Sequence, residues 1–295
     1  MNNNLLDQAL ASHTCWPLPP ASPEVRASLS QGQSNSSFLI QYGEQPLILR
    51  LNQHIQDTLQ SPRWIEVQAH RQATKAGLSP QLIYVDPAYR WQVTLFIEAS
   101  QQLPLTSSGL HKLASLLQQL HQLPAVDFNI NLSEVTTYYL YQIEKQRPQW
   151  LDSLQPINDI MAPLVTDLTA DTGRCTCHND LNPTNILATS DGVWVLDWEY
   201  VGMNHPYFDL AGVIQGYQLN MEQVGQLLGG YRKNFDDADL KLLKGYIAVY
   251  GYCSLLWYAV QSAATENPNV IACYQQALKQ MPGLIKQAHS EQRHD

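Results

Sequence analysis

The sequence is poor in charge, and its basic residues form no clusters. Charged residues make up 15% of the 295 residues, and 17 Lys and Arg stand against 26 Asp and Glu, which gives a formal net charge of −9. Proteins that bind nucleic acids usually carry a concentrated basic patch, so we expect no nucleic-acid partner. The acidic balance favours a cationic or neutral small substrate over a polyanion.

Long apolar runs are also missing. The best candidate for a membrane span, residues 246–260, is too short and too polar to cross a bilayer, which needs about 20 apolar residues. Residues 1–7 lack the basic segment and the apolar core of a secretory signal. We therefore expect a cytoplasmic protein without a membrane partner.

Cysteines are few and scattered. The five of them are an odd set with no disulfide-scaffold density, and they lie at positions 15, 175, 177, 253 and 273. Cys175-x-Cys177-His178 has the residue types of a metal cluster, but no second ligand pair follows at zinc spacing. Buried strand cysteines are the favoured interpretation.

The most informative stretch of the chain is His178-Asn-Asp-Leu-Asn-Pro-Thr-Asn185, followed by Asp197-Trp198-Glu199. Between the two blocks, apolar runs at 186–188 and 193–196 flank Ser190-Asp191-Gly192, a pattern that predicts a β-hairpin. Because a hairpin brings its two ends together, we expect Asp180, Asn185 and Asp197 to converge.

An Asp, an Asn and a second Asp at one place form an oxygen-rich site. Carboxylate and amide oxygens suit Mg²⁺, whose coordination is usually completed by water and substrate phosphates. In kinase-type phosphoryl transfer one Asp deprotonates the acceptor hydroxyl, while an Asn and another Asp hold the metal. The alternative is an Asn-Pro turn with solvated carboxylates, which would require two spaced motifs to coincide by accident.

These motifs resemble those of the aminoglycoside phosphotransferase/choline kinase superfamily. The segments Leu196-Asp-Trp-Glu-Tyr200 and Phe208-Asp-Leu-Ala211 are most similar to its bacterial choline kinase and thiamine kinase branch. The resemblance implies an α+β, bilobal, protein-kinase-like fold. Residues 1–98 would form an N-terminal nucleotide-binding lobe, with an antiparallel sheet and a helix. Residues 99–295 would form a mostly helical catalytic and substrate-binding lobe.

The resemblance also assigns roles within the catalytic motifs. Asp180 would be the catalytic base, and His178 and Asp209 would support its loop. Asn185 and Asp197 would bind Mg²⁺. Glu199 would either ligate a second Mg²⁺ or attract a cationic acceptor, and the sequence does not decide between these roles.

The amino-terminal third predicts a β-meander with a Gly/Ser/Asn loop between its first two strands. That loop would cover nucleotide phosphates through Gly32, Ser34, Asn35 and Ser36, or it is an ordinary hairpin loop. Arg50 on the third strand would contact phosphates; the alternative is a surface Arg at a strand end. A helix over 62–76 would carry its ion-pair partner, Glu66, whose alternative role is a solvated or dipole-favoured carboxylate.

Two further groups concern adenine and the acceptor. The backbone of Phe96-Ile97-Glu98 would bind adenine, an assignment that depends on the resemblance alone. Tyr246, Tyr250, Cys253 and Trp257 share one helical stripe, which is typical of a core. Alternatively, Tyr250 and Trp257 present π-faces to a quaternary ammonium or thiazolium ring.

We therefore expect an ATP-dependent kinase that phosphorylates the hydroxyl of a small cationic alcohol of the choline or thiamine type. ATP would be the co-substrate, Mg²⁺ the cofactor, and the enzyme a monomer or homodimer. The alternatives are an aminoglycoside phosphotransferase, a nucleotide-binding pseudokinase without catalysis, and a metal-dependent hydrolase using the same acidic cluster.

Overall fold

The computed structural model describes residues 3–31, 35–52, 61–98, 103–169, 173–189, 192–265 and 267–289. The chain divides into two compact units. The first consists of Met1–Leu103 and Asn185–Glu199, and the second of Pro104–Thr184 and Tyr200–Asp295. The chain thus returns to the first unit for a short segment, which the sequence-based boundaries at 1–98 and 99–295 do not include.

The first unit is built on a five-stranded antiparallel sheet with strand order β1-β2-β3-β5-β4. The strands are β1 (Pro23–Gln31), β2 (Asn35–Tyr42), β3 (Gln45–Asn52), β4 (Leu82–Val85) and β5 (Trp91–Leu95). Alternate side chains of a strand point to opposite faces. On β3 the leucines at 47, 49 and 51 therefore enter the core with α1 (Asn3–Ala11), while Arg50 lies on the other face.

Two more elements complete the first unit. Helix α2 (Arg63–Lys75) is close to the predicted 62–76 and is followed by Gly77, whose φ of +74° suits glycine. The first unit also contains β7 (Ile186–Ala188) and β8 (Val193–Val195). Strand β6 (Cys175–Cys177) comes earlier in the chain and lies in the second unit. The predicted hairpin is present, because β7 and β8 pair antiparallel. Its turn residues Ser190 and Asp191 lie outside the described residues.

The second unit is mostly helical. Its strand β6 pairs with β9 (Gly202–Asn204). The helices are α3 (Ser107–Leu120), α4 (Leu132–Gln146), α5 (Leu151–Thr169), α6 (Pro206–Gly216), α7 (Met221–Tyr231), α8 (Asp237–Ala264) and α9 (Pro268–His289). The long α8 packs against α4, α5, α6 and α9. The expected fold class, α+β with an antiparallel sheet and a mostly helical second part, is confirmed.

Polar side chains cap the starts of two helices. Thr106 caps α3, and its side chain accepts the Gly109 N–H at 3.3 Å, although Ser107 and Ser108 beside it have the same type of oxygen. Asn131 caps α4, accepting from the backbone of Ser133 and Glu134. Neighbouring polar residues offer similar oxygen acceptors, so composition alone does not choose between them. None of the described helices combines the length and apolarity needed to span a membrane.

Candidate active site

Arg50 is the centre of an ion cluster in the first unit. Its side chain is 8% exposed, and its guanidinium pairs with Glu66 and, at 2.5 Å, with Asp197 Oδ1. Its Nε donates to Asn52 Oδ1 at 3.0 Å. A guanidinium can serve several acceptors in fixed directions, and here it joins β3, α2 and the segment after β8. The expected pairing of Arg50 with Glu66 is present, so Arg50 is not a surface residue.

Glu66 is buried and shared by two guanidinium groups. Its second oxygen accepts from Arg63 Nη1 at 2.7 Å. Burial by itself would raise the pKa of Glu66, but the charges of Arg50 and Arg63 outweigh it and the pKa is lowered. Glu66 therefore remains a carboxylate that fixes the orientation of Arg50.

Arg63 is a residue of this cluster that the sequence interpretation missed. Besides Glu66, it reaches Glu199 Oε2 at 3.5 Å and Asn35 Oδ1 at 3.3 Å. Asn35 in turn donates its amide to Glu199 Oε2 at 2.8 Å. The signal available was an Arg three residues before Glu66, since side chains at this spacing face each other on a helix.

Two serines hold the end of the β7–β8 hairpin and the segment that follows it. Ser61 donates both its N–H and its hydroxyl to the carbonyl of Glu199, at 2.8 and 3.1 Å. Ser79 accepts from the Trp198 indole at 2.8 Å and donates to the Val195 carbonyl at 2.7 Å. These bonds explain why the hairpin and its exit belong to the first unit.

Asp197 and Asn185 lie on neighbouring stretches of backbone. The Leu196 N–H donates to the Asn185 carbonyl at 2.9 Å, next to Asp197. Asp197 has a φ of +61°, in the left-handed region that Asp and Asn tolerate better than other non-glycine residues. The predicted convergence of Asn185 with Asp197 is thus present at the level of the backbone. Asp180 belongs to the second unit, and its convergence with them stays a prediction.

Asp180 is oriented by its own loop. Its Oδ1 accepts from Asn182 Nδ2 at 3.0 Å, and its N–H donates to His178 Nδ1 at 3.3 Å. His178 is fully buried, and its supporting role stays a prediction. The Asp180 carboxylate is thereby held in a defined orientation, as a general base requires.

Asp209 and Asn179 tie down the same loop. Asp209 accepts the backbone N–H groups of His178 and Asn179 at 2.8 and 2.7 Å. The buried Asn179 amide donates to the carbonyls of Tyr200 and Cys177 at 2.9 and 3.2 Å and accepts from Asn204 at 2.8 Å. Asn179 has a φ of +65°. Its role was not foreseen, because an Asn beside a catalytic motif has no pattern of its own.

The aromatic stripe of α8 separates into two kinds of residue. Tyr246 and Cys253 are buried and belong to the core. Tyr250 and Trp257 are half-buried; the Tyr250 ring packs at 5.2 Å on Phe208, and Trp257 packs at 5.1 Å on Tyr258. Burial raises the pKa of Tyr250 well above its usual value, and the negative charge of Asp180 adds to this shift. Tyr250 therefore lies within electrostatic range of Asp180.

The remaining predicted site residues are less informative. Ser36 lies on β2, paired with Leu51. The Phe96 N–H donates to the Pro46 carbonyl at 3.2 Å, and Glu98 is exposed. Gly32 and Ser34 lie outside the described residues. Binding of nucleotide by these five residues stays a prediction.

A family model described as the phosphotransferase enzyme family matches residues 26–243. The chain belongs to this family. The matched region includes the Arg50 cluster and the Asp180 loop, and it ends before Tyr250 and Trp257. Membership of the phosphotransferase family therefore supports transfer chemistry and leaves the acceptor undetermined.

Two relatives of this phosphotransferase are similar over most of the chain. Protein LicA of Haemophilus influenzae is 25% identical over 86% of this chain and 77% of its own length. A thiamine kinase of Salmonella paratyphi B is 29% identical over 72% of each chain. The thiamine kinase branch suggested by the motifs is thus present among the relatives.

Solved structures confirm the kinase-like fold of this phosphotransferase. The choline kinase LicA from Streptococcus pneumoniae is 20% identical, with a TM-score of 0.74 over 95% of this chain and 98% of that one. A LicA in complex with AMP is also 20% identical, with a TM-score of 0.77 over 96% of this chain and 100% of that one. At this level of identity, the likeness concerns the fold alone.

The donor set at the end of β8 fits a hard divalent cation. Asp197 and Glu199 supply carboxylates and Asn185 an amide, the ligand types that Mg²⁺ prefers. Arg50 and Arg63 pair with these two carboxylates at 2.5 and 3.5 Å. A metal ion at this point would therefore share both carboxylates with the two guanidinium groups, and metal binding stays a prediction.

Proposed function

We propose that this phosphotransferase is an ATP-dependent small-molecule kinase acting on the hydroxyl of a small cationic alcohol of the choline or thiamine type. The observation that carries the proposal is the buried Arg50, bound at once to Glu66 and to Asp197. Protein kinases likewise pair a basic residue of the third strand with a helix carboxylate when they bind nucleotide phosphates. Family membership and the two kinase relatives support the same chemistry.

In this proposal the first unit binds the nucleotide. Arg50 and the loop around Asn35 contact phosphate oxygens, and Glu66 and Arg63 keep the guanidinium of Arg50 in place. Asn185, Asp197 and Glu199 would hold Mg²⁺, which when bound neutralises charge on the nucleotide phosphates. The backbone bonds of Ser61 and Ser79 keep these ligands in position.

The second unit supplies the base. Asp180 accepts the proton of the acceptor hydroxyl. At the same time the hydroxyl oxygen forms a bond to the γ-phosphorus of ATP, and the bond from that phosphorus to ADP breaks. The bond from Asn182 to Asp180 Oδ1 keeps the carboxylate in a defined orientation for this transfer. Most of the rate would come from positioning and charge neutralisation rather than from covalent catalysis by the protein.

A cationic acceptor is supported by the surroundings of Asp180. The negative charge of Asp180 acts on both Tyr250 and Tyr258, so two aromatic rings lie within its range. The faces of Tyr and Trp rings attract quaternary and aromatic cations. We accordingly propose that Tyr250 and Trp257 contact the acceptor. A cytoplasmic monomer or homodimer without nucleic-acid or membrane partners remains our expectation.

The decisive experiment measures ADP formation with Mg²⁺ and ATP against choline, thiamine, ethanolamine and an aminoglycoside. We expect turnover with choline or thiamine, with one phosphorylated acceptor formed per ADP. Turnover with the aminoglycoside alone would favour the aminoglycoside phosphotransferase alternative. ADP release without any acceptor would favour a hydrolase, and no turnover with retained nucleotide binding would favour a pseudokinase.

Asp180→Ala tests the base and Asp197→Ala the metal ligand. Asp180→Ala should lower kcat by at least about 10²-fold and leave nucleotide affinity nearly unchanged, because Asp180 acts on the acceptor. Asp197→Ala should abolish metal-dependent nucleotide binding as well. Calorimetry with Mg²⁺ and a non-hydrolysable ATP analogue separates the two effects. Near-normal turnover of Asp180→Ala would mean that the base is misassigned.

A further inference from the structure

The structure completes a ligand set that the sequence left incomplete. Cys175 and Cys177 lie on β6, and His121 lies at the end of α3, in the same unit. One ligand atom from each of the three residues lies within 4.8 Å of the others. The missing partner of the Cys-x-Cys motif is thus a histidine more than fifty positions earlier in the chain.

The spacing of the two sulfur atoms matches that of a tetrahedral thiolate site. Cys175 Sγ and Cys177 Sγ are 3.7 Å apart. Two thiolates at about 2.3 Å from a tetrahedral Zn²⁺ are separated by about 3.8 Å, and a thiolate and an imidazole nitrogen by about 3.6 Å. The distances to His121 therefore need to shorten by at most about 1.2 Å on binding.

The surroundings of His121 resemble those of a metal-bound histidine. Its Nδ1 lies 2.8 Å from the Tyr231 hydroxyl, and its Nε2 lies 3.2 Å from Asp209 Oδ2. Metal-bound histidines usually use one ring nitrogen for the metal and the other for a hydrogen bond that fixes the ring. Tyr231 provides that bond, and Asp209 places a carboxylate oxygen beside the nitrogen that would bind the metal.

We propose that His121, Cys175 and Cys177 bind one Zn²⁺ ion, with an oxygen of Asp209 or of water as the fourth ligand. Two sulfurs, one nitrogen and one oxygen suit the tetrahedral preference of zinc. On binding, the two thiol protons pass to solvent and the thiolates coordinate the ion. The site differs from the magnesium ligands proposed above in both donor type and residues, so it stands independently of the proposed function.

Zinc bound at this site would stabilise the loop that carries Asp180. Cys177 directly precedes His178, and Asp209 holds the backbone N–H groups of His178 and Asn179. An ion bound here would connect α3, β6 and α6 of the second unit. A ligand that binds only the folded state raises the unfolding temperature, so zinc should stabilise this unit.

The test uses the full-length, tag-free protein, freed of metal and kept reduced with a non-thiol reductant. Titration with Co²⁺, a spectroscopic substitute for Zn²⁺, should produce a thiolate-to-metal charge-transfer band that saturates at about one equivalent of Co²⁺ per protein chain. Zn²⁺ should displace the band, and excess Mg²⁺ should not, because thiolates prefer softer ions. Co²⁺ bound only to the carboxylates of the first unit would give no such band.

Cys175→Ser is the central variant, since Cys175 is half-buried and its replacement should fold. It should lose the charge-transfer band and the thermal shift with zinc, whereas Cys15→Ser, at an exposed cysteine, should keep both. His121→Asn should weaken Zn²⁺ binding at least tenfold. A wild-type protein without the band, or a band that survives in Cys175→Ser, would overturn the proposal.

A second measurement does not depend on any variant. Alkylation of the wild-type protein followed by peptide mass spectrometry should show that Zn²⁺ protects Cys175 and leaves the labelling of Cys15 unchanged. Equal labelling of Cys175 with and without Zn²⁺ would refute the site. The alternative, a simple hydrogen-bonded thiol pair, predicts this negative result.

Discussion

Titratable side chains in this phosphotransferase are buried in two ways. The Arg50 cluster keeps its charges paired, whereas His70 stays neutral. His70 is buried on α2, and its Nε2 lies 2.9 Å from the Pro80 carbonyl. Burial lowers the pKa of His70 to about 4, below its ordinary value of 6.5.

His70 should therefore make stability fall with acidity. Below pH 6.5 the His70 side chain is protonated in the unfolded chain, whereas in the folded protein it stays neutral down to about pH 4. The contribution of His70 to the free energy of unfolding is therefore complete above pH 6.5. It decreases as the pH falls from 6.5 to 4, by about 3 kcal/mol in total. His70→Gln, which retains an N–H for Pro80, should flatten the dependence of unfolding free energy on pH between 6.5 and 4. An unchanged slope would show that other groups dominate.

Asn179 is a second residue whose environment allows a quantitative expectation. Replacing it with Ala removes a donor from several buried carbonyls and leaves a residue with a side chain at positive φ. We expect Asn179→Ala to lower the unfolding free energy by about 3 kcal/mol. Chemical denaturation is the measurement, with the exposed Asn269→Ala as control. A loss below about 1 kcal/mol would mean that the loop is held mainly by Asp209.

Elements are joined in this protein by backbone bonds that leave no sequence pattern. The strands of the first sheet were predictable as short apolar runs separated by turn residues, and α2 is followed by Gly77. The pairing of Arg50 with Glu66 could be predicted only through the family resemblance. The attachment of the β7–β8 hairpin to the residues around Ser61 and Ser79 could not be predicted, because these long-range contacts have no local sequence signal.

Caps and partners were harder to predict than the elements themselves. Thr106 and Asn131 cannot be singled out as caps from the sequence, because adjacent serines have equal capping chemistry. Arg63 was missed because its partners Glu199 and Asn35 are distant in the chain. His121 lies 3.2 Å from Asp209, which holds the loop of Asp180, and no motif around His121 indicates this contact.

The link between α2 and the hairpin can be tested at Ser79. Ser79→Ala leaves the Trp198 indole and the Val195 carbonyl without their buried partner. We expect a loss of about 1–3 kcal/mol in unfolding free energy, together with a higher KM for magnesium-ATP and an unchanged KM for the acceptor. Ser115→Ala, on the exposed face of α3, is the matched control. A change in the acceptor KM alone would contradict this account.

At the scale of the whole molecule, the first unit is assembled from two separate chain segments. Residues 1–103 supply the sheet and α2, and residues 185–199 supply the hairpin with Asp197 and Glu199. Neither segment satisfies the buried polar groups of Ser61, Ser79 and Arg50 by itself. The function of the unit accordingly depends on both.

A fragment of residues 1–103 should therefore fail to form a stable unit. Buried donors and acceptors left without partners each cost about 1–3 kcal/mol, which is a large part of the stability of a small domain. Joining residues 185–199 to this fragment through a flexible Gly/Ser linker should restore cooperative unfolding, measured by circular dichroism. Cooperative unfolding of the fragment alone would show that the hairpin is dispensable.

This chain order also affects synthesis on the ribosome. The 81 residues from 104 to 184 are translated after the sheet and before the hairpin. At about 5–20 residues per second, the sheet and α2 of the first unit wait roughly 4–16 s for the β7–β8 hairpin. During that interval its polar interior is incomplete, and the helices that emerge meanwhile belong to the other unit. The nascent chain is most exposed to misfolding and to chaperone binding in this window.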